Sequence, residues 1–303
     1  MSRRSLLFKK RLDLFTLMLE RGRQGDVDAL HHARIASRRL REIVPVLRLD
    51  RDQARKLSRR LRKATRRLGT VRELDVTMML IADLQKSRGR HRGALARVAA
   101  AVSDARDAAR RRLFGRREPP FARLAKKLEH ALLKGHGTKK QAPGSVRDEA
   151  DRAARWAVDA RVTHRAGQLR EALEEAGGVY LPERLHAVRV ALKKMRYAVE
   201  LSLAMAGRRP TAELRALKRG QDALGRLHDL QVLLDHVRRT QAAVTPPQLT
   251  VWRELDALAA GLEDECRQLH GRYMRERDAL AAIAQRYDRR PVLHASKLGG
   301  AAG

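Results

Sequence analysis

One pattern of basic residues occurs twice in this chain, about half its length apart. His31, Arg34, Arg38 and Arg41 form the first copy, and an offset of 155 residues superposes them on the second copy, which is His186, Arg189, Lys193 and Arg196. Each set is spaced i, i+3, i+7, i+10, so on an α-helix it occupies roughly 80° of one face. We therefore predict two similar helices that each present a row of cations.

Apolar residues in the same two segments follow a separate helical face. Leu30, Ala33, Leu40 and Val44 lie on it in the first copy, and Leu185, Val188, Met195 and Val199 in the second. Mixed charges, with Glu and Lys four residues apart, are typical of a solvated helix face. The two rows carry one sign only, which favours an anion-binding face over a merely solvated one.

The rest of the chain also has helical rather than strand periodicity. Residues 5–21 place Phe8, Leu12, Phe15 and Leu19 on one face, and Asp26, Asp50 and Pro182 are typical of helix N-termini. Gly69 and Gly225 are predicted to end basic helices. The acidic residues that follow them, Glu73, Asp75 and Asp229, are interpreted as caps or as partners of nearby arginines rather than as catalytic groups.

The fold class predicted from these patterns is all-α, with two helical bundles that arose by internal duplication and are related by a pseudo-two-fold axis. Residues 1–134 form the first repeat, 135–145 a Gly- and Pro-containing linker, and 146–288 the second repeat. Residues 289–303 are predicted to be a disordered tail.

The charge of the chain limits the classes of partner that it can have. There are 67 Lys and Arg residues against 35 Asp and Glu, a formal net charge of +32 in 303 residues. Such an imbalance indicates a polyanionic partner, either nucleic acid, polyphosphate or an anionic membrane surface. Aromatic residues make up only 3% of the chain, whereas proteins that bind single-stranded nucleic acid stack bases on aromatic side chains. A ligand without flat faces fits better, and duplex DNA bound through its backbone stays possible.

Cysteine content and hydropathy favour a cytoplasmic protein. Cys266 is the only cysteine, so no internal disulfide forms and a reducing compartment is expected. No secretory cleavage signal follows the basic N-terminus, and no apolar run is long enough to span a membrane. No metal site is predicted, because adjacent His31 and His32 point to different faces of a helix and HxxxH and HExxH motifs are absent.

The repeated blocks resemble a known family. His31-x-x-Arg34 with Arg38-Arg39-Leu40-Arg41, followed by Leu68-Gly69-x-x-Arg72-Glu73-x-Asp75, and both blocks again in the second half, are similar to the CHAD domain, the conserved histidine α-helical domain. The resemblance covers nearly the whole chain. It implies two symmetric helical bundles around a basic central surface or pore, binding of inorganic polyphosphate, and attachment to polyphosphate granules in the cytoplasm. Some relatives add a triphosphatase domain for which this sequence has no room, so we expect binding without hydrolysis and without a cofactor.

The family's basic positions carry over residue by residue to this chain. The implied polyphosphate-binding residues are His31, Arg34, Arg38, Arg41, Arg59, Arg62, His186, Arg189, Lys193, Arg196, Arg215 and Lys218. The second copy departs from the first where Asp222 matches Arg66, His228 matches Arg72 and Gln231 matches Asp75, so the two halves are not expected to contribute equally. No catalytic or metal-binding residue is assigned.

Three alternatives stay open on the sequence alone. The chain could bind nucleic acid through the backbone, it could be a polyphosphate or phosphate-ester hydrolase or its accessory subunit, or its cations could face acidic proteins such as those of polyphosphate granules. A phosphate at His31 or His186 would stabilise the imidazolium ion, so binding is expected to strengthen as the pH falls toward about 6. Affinity is also expected to fall steeply with salt.

Overall fold

The structure, a computed structural model, describes residues 3–47, 49–87, 91–115, 120–137, 144–245 and 248–289. These residues form nine α-helices and one 3-10 turn, with no strand, so the all-α prediction is confirmed. The helices are α1 (Arg3–Arg23), α2 (Val27–Ile43), α3 (Arg51–Ser87), α4 (Arg92–Phe114), α5 (Pro120–Gly137), α6 (Gly144–Ala176), α7 (Pro182–Ala206), α8 (Ala212–Ala242) and α9 (Leu249–Asp288). The 3-10 turn, Val44–Val46, follows α2 and contains Pro45.

The helix starts follow the local chemistry of the sequence. The Asp26 carboxylate accepts a hydrogen bond of 2.9 Å from the backbone N–H of Ala29, and Asp50 accepts one of 2.9 Å from the N–H of Gln53. Pro182 is the first residue of α7, where its missing N–H has no intrahelical partner to lose. These three predictions are confirmed.

The predicted helix ends at Gly69 and Gly225 are wrong. Helix α3 runs without interruption through Gly69, and α8 runs through Gly225. A glycine inside a helix costs only about 1 kcal/mol relative to alanine. Leu68 and Val71 on either side of Gly69 are buried, so continuous packing of the apolar face outweighs that cost.

Two groups of buried side chains form the core. One joins α1, α2 and α5 with the first part of α3, and the other joins α7, α8 and α9 with α4 and most of α6. Helix α3 belongs to both, since Leu61 and Leu68 lie in the first group and Leu80 and Ile81 in the second. The two motif-bearing helices, α2 and α7, contact each other, as do α3 and α8. This four-helix junction positions the candidate site.

The division into two repeats and its pseudo-two-fold axis stay predictions. Residues 138–143 of the predicted linker and 290–303 of the predicted tail lie outside the described residues. Where the structure describes the chain, none of its helices has both the length and the apolar character needed to cross a membrane.

Candidate anion-binding cavity

A cavity of about 640 Å³ lies where α2, α3, α7 and α8 meet. Its lining contains seven arginines and two lysines but only three carboxylates. The cationic side chains are Arg34, Arg38, Arg39, Arg72, Arg189, Lys193, Arg196, Lys218 and Arg226, and the acidic ones are Glu73, Asp222 and Asp229. His31 and His228 also line it. The cavity therefore has an excess of positive charge concentrated by low-dielectric walls, an arrangement that attracts a polyanion.

The innermost cations lack anionic partners. Within the described part of the chain, Arg34, Arg38 and Lys193 form no ion pair, and the buried Nε atoms of Arg34 and Arg189 have no hydrogen-bond partner. A buried N–H group without an acceptor is costly and rare in folded proteins. Oxygen atoms of a bound anion would supply acceptors to both guanidinium groups.

Burial, and after it the crowding of like charges, lowers the pKa values of two of these groups. Burial, reinforced by Arg189 and Arg38, lowers the pKa of Lys193 to about 5. Burial and the neighbouring Arg38 lower the pKa of Arg34 to about 9. Both shifts arise because the charged forms are taken out of water and held beside other cations. An anion placed among them would reverse the electrostatic part of both shifts.

Glu200 fixes the end of the cavity formed by Arg39 and Arg196. Its Oε2 lies 3.2 Å from the Nε of Arg39, and its Oε1 accepts a hydrogen bond from Arg196. The Nε of Arg196 also donates a hydrogen bond of 2.7 Å to Oε1 of Gln221, and its Cζ lies 4.4 Å from the centre of the Tyr197 ring. These contacts hold two guanidinium groups in place before any ligand binds, and the Glu200 carboxylate neutralises part of their positive charge.

Glu73 and Asp229 line the cavity, whereas Asp75 lies outside it. Asp229 Oδ1 lies 3.9 Å from Arg189, and Glu73 Oε2 lies 4.0 Å from His228. Burial raises the pKa of both carboxyl groups. Asp75 is buried, and its Oδ1 accepts a hydrogen bond of 2.8 Å from the Nε of Arg106. The capping role suggested for these acids is therefore wrong, because all three lie inside long helices, whereas pairing of Asp75 and Asp229 with arginines is confirmed.

The histidines occupy two neighbouring cavities. His31 lines the basic cavity, whereas His186 lines an adjacent one of about 590 Å³, and His228 lines both. The His186 and His228 rings are 5.0 Å apart. Burial lowers the pKa of His31 to about 4, helped by Arg72, and that of His228 to about 3, helped by Arg189. Among the described residues, no group of three His, Cys, Asp or Glu side chains could hold a metal ion.

The cavity brings together seven of the twelve residues predicted to bind polyphosphate. They are His31, Arg34, Arg38, Arg189, Lys193, Arg196 and Lys218. Arg41, Arg59, Arg62, His186 and Arg215 lie outside it. Arg59, Arg62 and Arg215 are exposed on α3 and α8, and Arg62 is close enough to Arg41 to lower its pKa. His186, near the start of α7, is separated from the cavity by His228.

Arg41 belongs to a separate basic cluster around Glu42, next to the basic cavity. The Nε of Arg161 donates a hydrogen bond of 2.6 Å to Oε2 of Glu42, and the Nη2 of Arg165 lies 3.9 Å from Oε1 of the same carboxylate. Burial lowers the pKa of Arg41, and Arg62, Arg38 and Arg165 lower it further. Arg38 therefore lies between the two groups of cations, and Glu42 neutralises only the outer one.

Sequence reasoning did not assign Arg39, Arg72, Arg226 or His228 to the binding site, although all four line the cavity. All four lie within the repeated blocks, so the motif itself was a usable signal. The side-chain directions of Arg72, Arg226 and His228 could not be assigned because Gly69 and Gly225 were taken as helix ends. That error shifted the faces of everything that follows on α3 and α8.

Comparison with known proteins agrees with the motif. The family model described as the CHAD domain matches residues 7–238. The chain belongs to the CHAD family.

Solved structures show the same fold at low sequence identity. The CHAD domain from the plant Ricinus communis is 19% identical, with a TM-score of 0.55 over 93% of this chain and 90% of that one. PptA from Streptomyces chartreusis is 16% identical, with a TM-score of 0.56 over 95% of this chain and 98% of that one. No curated protein matches this CHAD protein.

Proposed function

We propose that this CHAD protein binds inorganic polyphosphate in the cavity between α2, α3, α7 and α8. The observation that carries the proposal is the set of inner basic side chains, Arg34, Arg38 and Lys193, which form no ion pair within the described part of the chain. Polyphosphate repeats its negative charge along a flexible chain, and each guanidinium group can donate two hydrogen bonds to one phosphate.

The lining favours polyphosphate over single-stranded nucleic acid. Besides the two histidines, Tyr197 is the only aromatic residue of the lining, and Arg196 covers its ring. Bases of a single-stranded ligand would therefore find almost no stacking surface, although stacking provides much of the affinity in such complexes. A ligand that consists of phosphate alone makes no demand of this kind.

The proposal describes binding rather than catalysis. One carboxylate of the lining lies beside Arg189, one lies beside His228, and the third, Asp222, is exposed. Phosphoryl transfer normally relies on carboxylates that hold catalytic Mg²⁺. We propose that the protein uses this binding to attach to polyphosphate granules in the cytoplasm, where other granule proteins are secondary partners. Nucleic acid then acts only as a competing polyanion.

The decisive experiment is a titration with polyphosphate of defined length at two salt concentrations. Replacing Arg34, Arg38, Arg189 and Lys193 together by Glu is expected to abolish binding. The pair Arg38→Glu and Lys218→Glu, at less buried positions, is expected to weaken it by at least about a hundredfold. The matched control reverses three exposed arginines of α3 outside the cavity, Arg55, Arg59 and Arg66, and is expected to keep more than about half of the binding free energy.

Two results would contradict the proposal. One is an equal loss of affinity in the cavity variants and in the exposed control, since binding would then depend on overall charge. The other is displacement of polyphosphate by low concentrations of duplex DNA or RNA, with no displacement in the reverse direction. Helical content and melting temperature, measured for every variant, separate loss of binding from loss of fold.

A further inference from the structure

Lys193 of α7 is a lysine that is almost completely withdrawn from water. Only 9% of it is exposed, and it lines the basic cavity. Lysine is rarely buried to this extent unless its ammonium group is paired with a carboxylate. Within the described part of the chain, Lys193 forms no ion pair, so no salt bridge offsets the cost of burying its charge.

The charged and titratable groups around this amine come from the four helices that form the cavity. They are Arg34 and Arg38 on α2, Arg72 and Glu73 on α3, His186 and Arg189 on α7, and His228 and Asp229 on α8. Burial, followed by Arg189 and Arg38, lowers the pKa of Lys193 to about 5, although Asp229 acts in the opposite direction. At pH 7 the amine is therefore mostly uncharged, and its nitrogen keeps the lone pair that makes an amine nucleophilic.

Two of the surrounding arginines have donors that lack acceptors. The buried Nε atoms of Arg34 and Arg189 have no hydrogen-bond partner in the part of the chain that the structure describes. Both guanidinium groups are close enough to Lys193 to lower its pKa. An anion formed on the nitrogen of Lys193 would lie among these donors, and charge-assisted hydrogen bonds to an anion are stronger than neutral ones.

We propose that carbon dioxide adds reversibly to the side-chain amine of Lys193, which becomes a carbamate held by Arg34, Arg38 and Arg189. The nitrogen lone pair attacks the carbon atom, a nitrogen–carbon bond forms, and one electron pair of a carbon–oxygen double bond moves onto oxygen. One proton leaves the nitrogen for solvent. Nothing is oxidised or reduced, and the reverse reaction releases carbon dioxide and regenerates the amine.

Carbon dioxide meets the requirements of this site better than other groups that react with amines. An aldehyde would form an imine, which supplies no oxygen anion to Arg34 and Arg189. Phosphoryl transfer to the nitrogen needs a leaving group and normally Mg²⁺ held by carboxylates, whereas the addition of carbon dioxide needs neither. Lys218 lines the same cavity but is exposed, so the burial that distinguishes Lys193 is missing there.

The carbamate has a consequence for the cavity that rests on the proposed function. It replaces an uncharged amine by a negative charge among the inner basic side chains. A carbamate and a phosphate group would then compete for the same guanidinium groups. Carbon dioxide is therefore expected to weaken polyphosphate binding, and polyphosphate is expected to weaken the addition of carbon dioxide by the same factor.

The first test detects the modification itself and uses no polyphosphate, so it is independent of the proposed function. The full chain, freed of bound polyanion and labelled with ¹⁵N in its lysine side chains, is equilibrated at pH 7 with ¹³C-labelled bicarbonate, the source of dissolved carbon dioxide. A ¹³C resonance split by one-bond coupling to ¹⁵N is expected, and it should disappear when carbon dioxide is removed. Lys193→Met is expected to abolish this resonance. The matched control Lys218→Met, the same substitution at an exposed position of the cavity, is expected to keep it.

The second test measures competition. Bicarbonate is expected to weaken polyphosphate binding by the original chain at least about threefold relative to chloride at equal ionic strength, and to have no such effect on Lys193→Met. The absence of a coupled resonance in the original chain overturns the proposal, and so does a coupled resonance that survives Lys193→Met. A resonance without coupling to ¹⁵N would identify bicarbonate as an adventitious ion only, which also overturns it. A coupled resonance in a chain that does not bind polyphosphate would support the carbamate and contradict the proposed function alone.

Discussion

Gly69 of α3 lies directly beneath the guanidinium group of Arg34 of α2. A Cβ atom at position 69 would stand 3.4 Å from the Nε of Arg34 and 3.7 Å from its Nη2. The glycine inside the helix therefore gives an unpaired arginine the room to lie across the cavity wall. Gly225 occupies the matching position on α8, and a Cβ atom there would meet no atom within 4 Å.

This difference predicts opposite outcomes for two identical substitutions. Gly225→Ala is expected to raise the free energy of unfolding by about 0.5–1 kcal/mol, because alanine favours the helix and the space is empty. Gly69→Ala is expected to gain less or nothing, and to weaken polyphosphate binding by moving Arg34. Urea denaturation and the polyphosphate titration measure the two effects. Equal gains in stability, with equal affinity, would show that Arg34 does not depend on the glycine.

Lys193→Met is expected to stabilise the free protein at pH 7. The pKa of Lys193 in the folded protein is about 5, which is below its ordinary value. The buried amine therefore lowers the free energy of unfolding at any pH below that ordinary value, because the unfolded chain binds the proton more tightly. This cost grows as the pH falls toward the folded pKa. Methionine has similar length and no charge. We expect a gain of at least about 1 kcal/mol at pH 7 that shrinks as the pH approaches 10. A loss of stability at pH 7 would contradict this account of the buried amine.

Polyphosphate binding is expected to take up protons. An anion beside Lys193 and His31 raises pKa values that stand at about 5 and about 4 in the free protein, so the bound state holds more protons. Affinity therefore rises as the pH falls from the pKa of each group in the complex toward its pKa in the free protein. This pH range extends below the pH of about 6 at which an ordinary histidine gains its proton. Calorimetry in two buffers with different ionisation enthalpies measures the uptake. Lys193→Met should remove most of it at pH 7, and His31→Gln should remove it only at lower pH.

Salt dependence is expected to separate cavity cations from other cations. Lys218 lines the cavity and is exposed, so Lys218→Gln should reduce the magnitude of the slope of log affinity against log salt by about 1. Arg59→Gln, an equally exposed change outside the cavity, should leave the slope unchanged. Identical slopes for both variants would place Lys218 outside the contact with phosphate.

Local sequence determined much of this protein. Helical periodicity separated the buried residues Leu30 and Leu40 from the cations Arg34 and Arg38, and the caps at Asp26 and Asp50 were correctly read. Such features depend on neighbours within a few residues, and one sequence contains all the information that they require.

The tertiary structure decided which cations meet. Periodicity states which face of a helix a residue occupies, but only the packing of α2 against α7 and of α3 against α8 fixes which segments of those faces share a cavity. For this reason Arg39 and Arg226 lie in the cavity while Arg59 does not, and His228 stands between it and His186. The helices continue through Gly69 and Gly225 for the same reason, because contacts between distant segments outweigh a local preference of about 1 kcal/mol.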